Sequence, residues 1–73
     1  MRKPKSLKIE HKINDHFSSR IEFTADEEKE TKERCVVADS YLTNILSAKN
    51  CRTIAGRLLL MADWIDEAQE QRK

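Results

Sequence analysis

The apolar spacing near the C-terminus constrains this chain more than any other feature. Ile54, Leu58, Met61, Ile65 and Ala68 recur at intervals of 4, 3, 4 and 3, which draws a single stripe along a helix. Within the stripe stands an unbroken run, Leu58-Leu59-Leu60-Met61, followed by Trp64. Leu58 and Met61 lie on the stripe, Leu60 and Trp64 fall together on one flank, and Leu59 points almost the opposite way. A two-helix hairpin buries one stripe of each helix, so this segment carries more apolar surface than such a hairpin can cover. The remainder needs a further layer, from the chain itself or from another chain.

The N-terminal half has a different period. Leu7, Ile9, His11 and Ile13 alternate with Lys8, Glu10 and Lys12, and Phe17, Ser19, Ile21 and Phe23 alternate with Ser18, Arg20 and Glu22. Period two predicts strands over about 6–13 and 17–23. Asn14-Asp15-His16 supplies the turn of a β-hairpin, although it lacks glycine. At Thr24 the pattern changes. Thr24-Ala25-Asp26-Glu27 reads as a capping box, with acidic residues in a first helical turn and Glu28–Lys32 and Glu30–Arg34 as i,i+4 pairs. Cys35, Ala38, Leu42, Ile45 and Leu46 then share one helical face, with Tyr41 on its edge. The expectation is a helix over about 24–49, a break near Asn50 and a second helix over about 52–71. One bent helix from 24 to 71 is the competing reading. Gly56 sits inside the second pattern, marking either a close backbone approach or a weak first turn. The fold class expected is therefore α+β: a short N-terminal β-hairpin followed by two amphipathic helices (ββαα), mainly helical, in one small domain over 6–73 preceded by a basic flexible arm at 1–5.

A chain of 73 residues builds a thin core, and 37% of these residues are charged. A core of this size supplies about 3–5 kcal/mol of net stability, so association with a second copy is the expected reinforcement. Cys35 and Cys51 are too few and too far apart for a secreted disulfide framework. No apolar run reaches the length of a membrane span, and the basic N-terminus leads into an alternating segment, not a signal-peptide core. A cytoplasmic protein is expected, with no membrane association. Charge is uneven: residues 1–20 carry six Lys/Arg against two Asp/Glu, whereas residues 21–34 carry three against six. Such asymmetry suits an anionic partner, or the meeting of one chain's arm with an acidic segment.

Few residues have the chemistry of a reactive site. His11, His16, Cys35 and Cys51 are the zinc-type ligands, but their spacing is wrong for a tight knuckle. Gly56 is the sole glycine, which excludes a phosphate-cradling loop. We expect no catalytic, cofactor-binding or metal-binding residues, no small-molecule substrate and no enzymatic activity. The expected function is a small intracellular interaction or regulatory protein acting through helix-mediated association, of the kind that bacteria, phages and mobile elements carry as accessory factors. Its expected contact residues are Leu59, Leu60, Trp64, Tyr41 and Met61, and its expected partner is itself as a homodimer, another protein, or both. The alternative is a nucleic-acid-binding regulator using Arg2, Lys3, Lys5, Lys8 and Lys12 for phosphate contacts. A strand followed by two helices is similar to a ribbon-helix-helix regulator in outline only.

Overall fold

The alternation that begins at Leu7 does not stop at Phe23. In the computed structural model, which describes residues 1–71, the chain runs β1 (Leu7–Lys12), β2 (Ser18–Glu27), β3 (Arg34–Tyr41) and α1 (Ala48–Gln71). Residues 72 and 73, the end of the expected domain, lie outside the described residues. The three strands form one antiparallel sheet in the order β1-β2-β3, with Leu7 opposite Phe23, and Phe23 opposite Ala38. The layout is ββ-β-α, not ββαα.

The helix expected over 24–49 is thus corrected to the end of β2, a turn, β3 and an irregular segment. Local helical signals lose here to strand pairing. Ala25 continues the inward set of β2, and Val36 pairs directly opposite it on β3. The residues of the supposed capping box, Thr24 and Glu27, are strand residues on opposite faces of the sheet. The acids serve a turn instead. The Glu28 carboxylate accepts the amides of Glu30 (3.0 Å) and Thr31 (2.7 Å), while Glu28 N–H donates to the Glu33 carbonyl at 2.8 Å. Lys32 N–H donates to the Glu28 carbonyl at 2.9 Å, and Lys32 takes a left-handed backbone with φ 64°. Arg34 does not pair with Glu30 along a helix. Its Nε donates to Glu27 Oε2 at 2.7 Å, across the hairpin.

Asn14 closes the β1–β2 turn without glycine. Its Oδ1 accepts the amides of His16 (2.8 Å) and Phe17 (3.0 Å), and the amides of Ile13 and Asn14 donate to the Phe17 carbonyl. α1 starts four residues before the expected position. Ser47 is its cap, with Oγ accepting the Asn50 amide at 3.1 Å and its carbonyl accepting the Cys51 amide at 2.9 Å.

Ala25, Met61 and Trp64 form the buried cluster, with Phe23, Val36, Leu58 and Ile65 packed around it. The layer that α1 required is therefore the sheet. Arg34 ties the two layers: Nη1 donates to the Trp64 carbonyl at 2.7 Å, and its guanidinium lies 4.5 Å from the centre of the indole. The N-terminal arm lies along the helix in the opposite direction. Arg57 Nη1 donates to the Lys5 carbonyl at 2.7 Å, and ten residues further along α1 the Met1 amino group meets Glu67 Oε1 at 2.8 Å.

Candidate interaction surface

Two large apolar residues of α1, among the described residues, remain outside the sandwich of helix and sheet. Leu59 is 68% exposed and Leu60 52%, whereas Met61 at 0% and Trp64 at 2% are enclosed by the sheet. The helical period explains the division. Ile54, Met61 and Trp64 are the buried residues of α1, Met61 and Trp64 packing with Ala25 of β2, and Leu59 falls on the opposite side of the helix. Leu60 lies on the flank of Glu67, the flank of α1 followed by the N-terminal arm. Tyr41, 51% exposed, pairs with Arg20 on the outer face of the sheet. The five expected contact residues are therefore distributed over three places: Leu59 and Leu60 outside the helix, Met61 and Trp64 in the core, and Tyr41 on the far side of the sheet.

A second apolar feature, missed in the sequence, is the free edge of β3. The sheet order leaves β3 with one unpaired side, and the helix covers only its beginning. Val37 and Tyr41 are exposed on the outer face, and Ala38 and Ser40 are exposed on the inner face. Val36-Val37, two β-branched residues in succession, was the available signal for this strand.

The outer face of the sheet carries charges of both signs. Lys8, Lys12 and Arg20 alternate with Glu10, Glu22, Asp26 and Asp39. Lys8 Nζ lies 2.9 Å from Glu10, Lys12 Nζ 3.7 Å from Asp15, and Arg20 Nη2 3.5 Å from Asp39. The hydrogen bond from Lys8, with its charge, holds the Glu10 carboxyl below its ordinary value. Glu27 is lowered by the hydrogen bond from Arg34, with burial partly opposing, and Glu28 is lowered by the backbone amides of its turn. These carboxylates are held ionised by structural contacts. Of the five expected nucleic-acid contacts, Lys8 and Lys12 lie on this mixed face, while Arg2, Lys3 and Lys5 lie on the arm.

Cys35 and Cys51 are both free and exposed, and His11 and His16 are exposed near the β1–β2 turn. Among the described residues no group of three His, Cys, Asp or Glu side chains converges on a common point. The open grooves beside the β2–β3 turn are lined by Glu27 and Arg34 from the sheet, by Glu33 from the turn and by Ile65, Ala68 and Gln69 from α1. Among the described residues no helix is long and apolar enough to cross a membrane. No family model, curated protein or solved structure matches the chain.

Proposed function

We propose that this chain is a small non-enzymatic interaction protein that works by docking onto another protein. The observation that carries the reading is its surface. The chain exposes 5851 Å², against about 4,700 Å² for a compact monomer of its mass. It measures 50 × 26 × 17 Å with a radius of gyration of 14.7 Å, against about 11 Å for a compact chain of this length. A single helix on one face of a three-stranded sheet is two layers thick only where they overlap, which is why so much apolar surface stays outside. Leu59 and Leu60 form the surface we assign to the target, and the basic arm on Leu60's flank of α1 favours a target that is apolar with an acidic border. A cytoplasmic location and a regulatory role belong to the same proposal, and the two free cysteines suit a reducing compartment.

A photo-crosslinking residue at position 60, compared with one at the exposed turn residue Lys29, tests the reading in the cells that make the protein. Discrete adducts to a different protein at position 60 and none at position 29 are expected. Equal labelling at the two positions, or none at either, would overturn it. The nucleic-acid alternative receives less support. Its strand lysines face carboxylates on the same sheet surface, and the β-β-β-α order removes the strand-helix-helix outline on which it leaned.

A further inference from the structure

We infer that the free edge of β3 pairs antiparallel with β3 of a second copy of this chain, joining two three-stranded sheets into one of six strands. The inference rests on the reading of the chain as an interaction protein and names a partner and a surface that the reading leaves open. The two edges of the sheet differ in a telling way. β1 carries Lys8, Glu10 and Lys12 along its six residues, and charged side chains, lysines above all, keep an edge strand from pairing with another chain. β3 has eight residues, no proline, and charges only at Arg34 and Asp39. Both are already engaged within the chain, Arg34 by Glu27 and Asp39 by Arg20. Between them Cys35, Val36, Val37 and Ala38 present an uncharged, unprotected edge.

Two observations favour a second copy as the occupant. The surplus surface is roughly 1,100 Å², and a standard interface takes about 800 Å² from each partner. The chain therefore lacks cover on the scale that one dimer contact supplies. Finally, the flank of α1 on the β3 side, marked by the contact of Ile65 and Gln69 with the groove at Glu33 and Arg34, carries Cys51, Ala55 and Ala62. These short side chains leave room for a second subunit's helix on the same face of the joined sheet.

Sedimentation of the full chain from low to high micromolar concentration, with hydrogen exchange at both extremes, tests the inference. A concentration-dependent rise from 8.6 kDa to twice that mass is expected, with the amides of 35–41 gaining protection as the dimer forms. Val37→Lys puts a charge on the open edge and should weaken association by about tenfold or more, while circular dichroism shows the monomer still folded. Leu60→Ser should leave association unchanged. Hydrogen exchange on the unsubstituted chain keeps the test decisive if Val37→Lys fails to fold. A monomer at every concentration overturns the inference and leaves the edge to a peptide or to a different protein. A dimer that ignores Val37→Lys and leaves the amides of 35–41 unprotected overturns it as well. A monomer that still crosslinks at position 60 loses this inference and keeps the proposed function; a β3-paired dimer without those crosslinks does the reverse.

Discussion

Lys32 holds a conformation that its side chain opposes. With φ 64° it occupies the left-handed region at the end of the β2–β3 turn, where the Cβ crowds the following carbonyl at about 1–2 kcal/mol. The turn keeps Lys32 there because the Lys32 amide donates to Glu28 and the Glu28 carboxylate gathers the amides of Glu30 and Thr31. Glycine relieves the crowding but enlarges the freedom of the unfolded chain, which returns part of the gain. Lys32→Gly should therefore raise stability by about 0.5–1 kcal/mol, and Lys32→Val should lower it by about 1–2 kcal/mol, since a β-branched residue fits the region worst. Urea denaturation of the two variants checks the pair: the midpoints should move in opposite directions. Leu42 has the same φ of 64°, just after β3, so the chain leaves its edge strand through a second strained position.

The elements differ in how plainly the sequence announces them. α1 is legible because Ile54, Leu58, Met61 and Ile65 keep the helical period over several turns, and nothing in that stretch competes. The hairpin of β1 and β2 is legible because Leu7–Ile13 and Phe17–Phe23 alternate on both sides of Asn14-Asp15. β3 was not. Glu27, Glu28, Lys32 and Arg34 satisfy helical rules of local spacing, yet the pairing that wins, Glu27 with Arg34 and Ala25 with Val36, spans a turn and is invisible to local rules. With β3 unseen, the sheet edge now proposed as an interface is unseen too, and Trp64 looks surplus because part of the layer that covers it reads as helix. Gly56 was ambiguous in the sequence and is simple in the structure. It lies in the interior of α1, and a Cβ built there meets nothing within 4 Å. Neither a close approach nor a poor first turn requires glycine. Gly56→Ala should raise stability by about 0.8–1 kcal/mol, the helix-propensity difference with no steric penalty. Thermal unfolding is the direct measurement, and an unchanged or lower midpoint would contradict the open environment of this face.

At the scale of the whole molecule the question is whether so thin a core holds the fold alone. Among the described residues four apolar ones are buried, Ala25, Ile54, Met61 and Trp64, and Met61 is the most completely enclosed of them. Truncating an enclosed methionine costs about 2–5 kcal/mol, because the transfer free energy is lost and a cavity is left. A lone domain of this size has about 3–5 kcal/mol in total, so Met61→Ala removes most or all of it. If the fold is completed by a second copy, stability depends on protein concentration. A hundredfold increase then adds about 2.7 kcal/mol per dimer, half of it to each chain, because only the folded state associates. For a chain of this length that corresponds to a rise of about 5–10 °C in the thermal midpoint. Met61→Ala should therefore be largely unfolded when dilute and recover structure when concentrated, and the unsubstituted chain should show the same upward shift from a higher starting point. Calorimetry of both proteins at two concentrations makes the measurement. A midpoint that does not move with concentration in either protein would mean that one helix against three strands is sufficient, and that the exposed edge of β3 adds nothing to the stability of the fold.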